Sequence, residues 1–395
     1  MKHPTKPELL APAGNIISLR AAISAGADAV YLGLQSFNMR ARAKNFTTKD
    51  LPKIKELCKP RNIKIYLTLN TIAYDDELKQ IEKIIKTSKP YVNAIICSDL
   101  AVMQLAKKHK IPFHVSTQCS VSNSKSAEFY KKLGAERIVL ARELNIKQIK
   151  KISKIIPTEV FIHGAMCISI SGRCLLSQFC FGKSANRGEC IQPCRRPYVN
   201  VEDAQGNKLR IENKYILSPK DLCTLPFIEE LKKAGITSFK IEGRNKEPEY
   251  VDTVINVYRE AIDNKLTKEQ IKNSIQELNK VYNKGFSSGF YFKEPGKESF
   301  SKNEHSSATQ SKQFIGKISH YYPKINVALL TLNNGPLRIG DEIIILGKTT
   351  GIVKSKIKDM EIEHKPIKIA RKKETIAIKL PKCRKNDMLY KVIKK

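Results

Sequence analysis

A chain of 395 residues, 41% of them apolar, is long enough for one large domain plus a small one and can pack a core, which excludes a disordered chain. Met1 to Pro7 holds two lysines and no apolar run of signal-peptide length, and nowhere do about eighteen apolar residues follow one another; a secretory leader and a membrane-spanning helix are therefore not expected, and a cytosolic location is. The 71 Lys+Arg against 38 Asp+Glu leave a formal charge of +33, beyond what solubility requires, so an anionic partner is expected, either nucleic acid or an anionic membrane surface.

From the start, short β-type runs alternate with amphipathic stretches, the pattern of β/α units and a parallel sheet. Eight strands are predicted: Glu8 to Ala13, Ala29 to Leu34, Ile63 to Asn70, Ala94 to Asp99, Phe113 to Gln118, Arg137 to Arg142, Glu159 to Gly164 and Ser238 to Gly243. Between them, helices are predicted over Ser18 to Ala25, Thr48 to Cys58, Asp76 to Thr87, Lys125 to Leu133, Ile146 to Ile155 and Phe227 to Ala234. Several end in glycine (Ala25-Gly26, Leu133-Gly134, Ala234-Gly235), where a left-handed cap turns the chain into the next strand. The fold class is thus α/β, a (β/α)8 TIM-like barrel over residues 1–300.

One connection is long. Residues 165–224 interrupt the rhythm after strand seven, and in such a barrel the loops after the strands form the active face. Ser/Lys/Asn/His-rich residues 301–312 read as a linker. Residues 313–395 then show short β runs with turns at Asn333-Asn334-Gly335 and Gly347-Lys348, which suit a small antiparallel β-barrel. Residues 301–395 hold 21 Lys+Arg against 8 Asp+Glu, or +13 of the total +33, so this end is about twice as basic per residue as the rest.

Ten cysteines in a cytosolic chain point to metal or redox chemistry rather than disulfides. Cys167, Cys174, Cys180, Cys190, Cys194 and Cys223 fall inside the long connection, whereas Cys58, Cys97, Cys119 and Cys383 are scattered like ordinary small core residues. Thiolates bind soft or borderline metals, so four of the six could close around zinc or an iron–sulfur cluster. The spacing lacks a C-x-x-C zinc knuckle and a radical-enzyme loop. It suits a cluster held by cysteines dispersed along a long segment.

Polar groups at the strand ends, Asn70, Asp99, Gln118, Arg142, Glu143, His163, Glu242 and Arg244, would face the barrel's open end, with Arg40 and Arg42 after strand two. The candidates for substrate binding are Asn70, Gln118, Arg142, Arg173 and Arg244; those for catalysis are His163, Glu143 and Glu242. Arginines there would hold a carboxylate-bearing co-substrate in bidentate fashion, and some of these groups, Arg142 with Glu242 for example, would only pair with each other. His163 suits either an acid/base or a core histidine bonded to backbone. No H-E-x-x-H occurs, Ser171 and Ser177 in a glycine-rich loop are more ordinary as turn residues, and Gly182-Lys-Ser and Gly347-Lys-Thr lack the upstream glycine of a phosphate loop.

The runs Glu8-Leu-Leu-Ala-Pro-Ala-Gly14, Gly26-Ala-Asp-Ala-Val-Tyr31, His163-Gly-Ala-Met-Cys167 through Ser177 and Lys240-Ile-Glu-Gly-Arg244 resemble the collagenase-like U-32 peptidase family over nearly the whole chain. Its members are named peptidases of unknown catalytic type, and several are implicated in oxygen-independent or prephenate-dependent hydroxylation of tRNA, ribosomal RNA or ubiquinone precursors with a 4Fe-4S cluster. The resemblance implies Cys167, Cys174, Cys190 and Cys223 as cluster ligands, with Cys194 in reserve. The C-terminal segment resembles the small barrel of translation factors that RNA-acting relatives carry, so the resemblance implies a tRNA or other RNA substrate, prephenate as co-substrate, an electron-transfer partner and no membrane. A peptidase or an RNA-binding protein without catalysis are the other functions it leaves open.

Overall fold

Runs buried on both faces become the inner ring. They are β1 (Glu8–Ala13), β2 (Ala29–Gly33), β3 (Lys64–Leu69), β4 (Ala94–Cys97), β5 (Phe113–Val115), β6 (Arg137–Val139), β7 (Thr158–Gly164) and, after a short extra strand β8 (Asp221–Cys223), β9 (Ser238–Ile241). This computed structural model describes residues 6–202, 204–210 and 213–395. Strands β1 to β7 pair in parallel, each with the next, and β9 pairs in parallel with both β7 and β1, so eight parallel strands close into a barrel. Each expected strand forms within a few residues of its expected limits.

Helices cover the outside because their apolar residues recur at helical spacing and their ends are satisfied locally. In α1 (Ile16–Ser24) the Asn15 side chain accepts the N–H groups of Ile17 and Ser18 at 2.9 and 3.0 Å. The helices over Leu51–Cys58, Leu78–Ser88, Ser124–Leu133 and Ile146–Ser153 follow the predicted ones, and the expected caps at Gly26, Gly134 and Gly235 have positive φ. Four helices lie outside the predicted ranges, Leu100–Lys108, Leu176–Phe181, Pro248–Asp263 and Lys268–Lys280. The helix Pro248–Asp263 buries Tyr250, Val251, Val254, Ile255 and Tyr258, and packs against α1 and β1 across the seam where the barrel closes.

Inside the barrel, inward-facing residues near the N-terminal ends of the strands are charged and paired. Glu159, fully buried, accepts from Lys240 Nζ at 2.9 Å and Arg137 Nη1 at 3.1 Å, and Arg137 Nη1 also meets Glu8 at 2.6 Å. Tyr66 donates to Glu8 at 2.8 Å. Burial alone would raise the Glu8 pKa, but Arg137, Tyr66 and Lys64 outweigh it and hold the group at about 2.

At the other end the chain passes very close to itself. A Cβ on Gly14, just beyond β1, would stand 1.9 Å from the backbone oxygen of Arg244. Gly14→Ala should therefore cost about 1–3 kcal/mol, read as a lowered denaturation midpoint, because backbone rather than a flexible side chain must move; an unchanged midpoint would refute the close approach.

The expected linker is not a free tether. Ser301 N donates to Ser218 O at 2.8 Å, Ser307 N to Asn283 O at 2.8 Å and Thr309 N to Asn279 O at 2.9 Å, with Ser301 and Ala308 buried. Its polar composition serves backbone bonding to the barrel rather than solvation, and its last residues open a 13-residue strand, Gln310–Tyr322. That strand pairs antiparallel first with Met388–Lys394 and then with Val327–Thr331, with an irregularity in each pairing, around Ile315, Ile318, Leu330, Ile345 and Leu389. The resulting eight-stranded antiparallel sheet ends at Gly351–Lys356 and Lys365–Pro366, and the paired Leu337–Arg338 and Ile369–Ala370 flank both ends, with Gly340 N donating to Ile357 O at 2.8 Å and Ile339 N to Lys368 O at 3.1 Å. The two domains meet through Arg20 Nε donating to Lys348 O (2.9 Å) and ion pairs of Lys354 with Asp252 (2.7 Å) and of Lys312 with Glu249 (2.8 Å). No helix among the described residues is long and apolar enough to cross a membrane.

Candidate functional site

The long connection leaves β7 at Gly164 and folds back on itself by hydrogen bonds that involve its cysteines. Cys174 Sγ accepts the Leu176 N–H at 3.3 Å, while Asn186 Oδ1 accepts the Cys174 N–H at 3.2 Å. Ser177, on the short helix Leu176–Phe181, accepts the Ile191 N–H at 3.0 Å and points its hydroxyl at Cys190 Sγ, 3.8 Å away. The turn Pro193–Arg195, which carries Cys194, packs on that helix. Arg195 pins the turn, donating to Met166 O at 2.7 Å and to Ser218 Oγ at 2.9 Å, which draws Cys194 toward the segment of Cys167. Burial pushes the Cys194 thiol up to about 11, Arg195 opposes that, and Cys167, Cys190 and Cys174 add to the rise.

Cys167, Cys174 and Cys190 thus each lie within electrostatic reach of Cys194. Among the described residues no three His, Cys, Asp or Glu side chains are spaced for a single metal ion. A cubane cluster is far larger than one ion and takes one thiolate at each iron, so an all-sulfur group set more widely fits it better than it fits zinc.

Beside these thiols lies an arginine-lined mouth. Glu242, just past β9, is 3.2 Å from Arg40 Nη2 and 3.5 Å from Arg142 Nη2. Arg142 also donates to Ala165 O at 2.7 Å and lies flat over Phe161, 3.7 Å from its centroid. Arg244, buried, donates to Thr68 Oγ1 at 2.8 Å and Asn38 Oδ1 at 2.9 Å. Burial would raise the Glu242 pKa, yet Arg40, Arg142, Arg244 and Lys240 hold it below the usual carboxylate range, so the group stays ionised. Arg40 is stabilised as a cation chiefly by Glu242 and also by Cys190 and Cys167, which sets the thiol group against the mouth. A cleft of about 1360 Å³ opens here, bounded by Arg40, Cys190, Glu242 and Lys246 on the barrel and by Lys348, Lys354 and Tyr390 on the second domain. Three arginines facing one carboxylate leave net positive charge, which suits an anionic ligand.

With that geometry in view, comparison with known proteins is decisive on kinship: residues 14–301 match the model of peptidase family U32. The chain belongs to that family. The U32 chain is 41% identical to a collagenase of Porphyromonas gingivalis, over 98% of both proteins. It is 35% identical to tRNA hydroxylation protein P1 of Bacillus subtilis, covering 87% of this chain and 84% of that one. It is also 41% identical to the 23S rRNA 5-hydroxycytidine C2501 synthase of Escherichia coli, over 65% of this chain and 39% of that one.

The remaining expected site residues of this U32 member divide into three groups. Cys223 and His163 face each other across the antiparallel β8–β7 pair and are both buried. The Tyr258 hydroxyl lies between them, 3.7 Å from Cys223 Sγ and 3.3 Å from His163 Nδ1. Burial, helped by Lys246, lowers the His163 pKa to about 3, so the ring is neutral; packed among Tyr250, Tyr258 and Phe286 it takes the core role of the two open to it. Cys194 lies within electrostatic reach of Cys167, Cys174 and Cys190, while Cys223 is buried against Tyr258 beside His163. Asn70 Nδ2 reaches Ser116 Oγ at 3.3 Å and Gln118 Oε1 at 3.4 Å, its Oδ1 accepts the Met39 N–H at 3.3 Å beside Arg40, and Glu143 Oε1 is 3.5 Å from the Ser171 N–H. Arg173 is exposed on the cysteine segment.

Asn38 and Lys246 escaped the sequence reading. Asn38 is fully buried and its Oδ1 also accepts the Arg40 N–H at 3.0 Å, so one side chain orients two of the mouth's arginines. Lys246 lies 3.1 Å from the Tyr282 ring centroid, and burial lowers its pKa to about 8 despite Asp221 nearby. The signal available was position alone, a loop after β2 and a lysine two residues past Arg244.

Proposed function

We propose that this protein is an RNA-modifying enzyme that hydroxylates tRNA at the wobble uridine, giving 5-hydroxyuridine, with a 4Fe-4S cluster and with prephenate as the carboxylate-bearing co-substrate. The observation that carries the reading is the apposition of an all-sulfur donor group to an arginine mouth that opens into a basic cleft between two domains. Relatives named for tRNA hydroxylation and for synthesis of 5-hydroxycytidine in 23S rRNA support RNA hydroxylation as the class of activity.

Each part of the site has a task on this reading. Cys167, Cys174, Cys190 and Cys194 would hold the cluster, which when bound supplies one-electron chemistry. Arg40 and Arg142 bind and orient a carboxylate, and Glu242 keeps their guanidinium planes aligned until the anion arrives. Arg244, held by Asn38 and Thr68, adds fixed positive charge behind them. The lysines of the second domain contact phosphates, giving affinity that falls with salt. A base must leave its stack to enter such a cleft, so a single-stranded loop is the expected substrate, in the cytosol and with an electron-transfer partner.

Mass spectrometry of tRNA nucleosides should show 5-hydroxyuridine derivatives lost from a strain lacking the gene and restored by the wild-type copy; an unchanged profile would remove tRNA uridine as the target. A second reading, a collagen-degrading peptidase, is favoured by the 41% identity to a collagenase. His163 is linked to Cys223 through Tyr258 with all three buried, and Ser171 Oγ meets Ser120 Oγ at 2.8 Å rather than a histidine. Collagen cleavage that survives Cys190→Ala would favour that second reading.

A further inference from the structure

The outward side of the cysteine segment is unusually apolar for a surface so rich in cations. Phe179 on the helix Leu176–Phe181 is 90% exposed, Leu175 one turn earlier 68% and Ile170 67%. Beside them planar cations already stack on rings: Arg196 lies over Phe181 at 4.7 Å and Arg187 over Tyr74 at 4.9 Å. Residues 167–198 hold five Lys+Arg (Arg173, Lys183, Arg187, Arg195, Arg196) against one acid, Glu189, a local charge of +4. A second copy of this chain would bring the same charge to the same face, and a neutral apolar partner would leave the cations uncompensated. A polyanion that also carries flat apolar groups satisfies both features.

We propose that this face, centred on Phe179, is a stacking platform for unpaired RNA bases. It rests on the RNA reading above and names the part of the protein that receives the strand. A base laid on the Phe179 ring gains contact independent of sequence, while Arg173 and Arg196 lie close enough in the chain to follow the phosphates on either side. Duplex RNA keeps its bases inside its own stack and cannot use the ring, so the platform selects single strands. The same short helix carries Ser177, hydrogen-bonded toward Cys190, so the platform forms the outer side of the thiol-bearing loop and strand docking there leads toward the mouth.

The chain contains no tryptophan, so Phe179→Trp installs a unique fluorophore at the platform. With full-length protein, a single-stranded oligouridine should quench that fluorescence, whereas an RNA duplex of equal length should quench it little. Phe179→Ala should bind the single strand about tenfold more weakly than wild type, with duplex binding unchanged and Phe179→Trp restoring affinity. Full exposure of the ring leaves the fold intact in these variants, which circular dichroism checks. Equal affinity for wild type and Phe179→Ala, with no quenching of the tryptophan, overturns the platform alone. A wild-type protein that binds neither RNA overturns the RNA reading itself. Sedimentation showing a wild-type dimer split by Phe179→Ala, with RNA affinity unchanged, assigns the face to a second copy and also overturns the proposal.

Discussion

Anaerobically purified protein should carry about four irons per chain, and Cys190→Ala should lose most of that iron and the tRNA modification with it. Cys190 is held from several sides: Ser177 points at its sulfur, the adjacent Ile191 N–H is tied to the same hydroxyl, and it lines the cleft together with Arg40. Cys194→Ala should behave like Cys190→Ala, whereas Cys223→Ala should keep its iron, because Cys194 lies within electrostatic reach of the other three sulfurs and Cys223 is buried against Tyr258 and His163. The two cysteines thus give a clean contrast. Iron retained in Cys194→Ala and lost in Cys223→Ala would transfer the fourth position to Cys223, as resemblance to the family implies. Colourless wild-type protein containing zinc would remove the redox chemistry altogether.

The second large effect concerns the barrel's interior. Glu159→Ala should destabilise the protein by about 3–5 kcal/mol in denaturant titrations, since it strands Lys240 and takes from Arg137 one of its two carboxylates in a dry environment. Glu159→Gln, which keeps a hydrogen-bond acceptor, should lose less. Acid should act on the same network. The Glu8 pKa is depressed from 4.5 to about 2 in the fold, so its stabilisation is complete above the unfolded value and is lost as pH falls through that interval. A midpoint unmoved by Glu159→Ala would mean that water reaches the cluster and screens it.

Much of this architecture could be read from the residues alone. The strands were legible because a barrel strand is buried on both faces, so Ala94–Cys97 or Ala29–Gly33 stands out as an apolar run between a helix and a polar turn. Residues 248–263 were equally legible in principle, since Tyr250, Val254, Tyr258 and Ala261 recur at three- and four-residue steps, yet Pro248 and the charged loop before it mask the onset. The linker was misjudged for a physical reason: serine and asparagine are as suited to bonding another backbone as to facing water, and only long-range contacts such as Ser301 with Ser218 decide between them. The same limit applies to the fourth thiol. Nothing in the spacing of the cysteines announces that Arg195 will reach Met166 O and carry Cys194 with it. At the mouth, the pairing of Arg142 with Glu242 was foreseeable from strand ends, but Asn38, which braces two arginines from a different loop, was not.

The hydrogen bonds of Ser307 and Thr309 to the helix-bearing side of the barrel, with Arg20 reaching Lys348 O, have one more implication. A domain laced to its neighbour at both the strap and the face keeps a constant gap, so the opening behaves as a calliper rather than a hand. Whatever enters must already have the right thickness, so width selects what comes to lie beside Cys190 and Glu242.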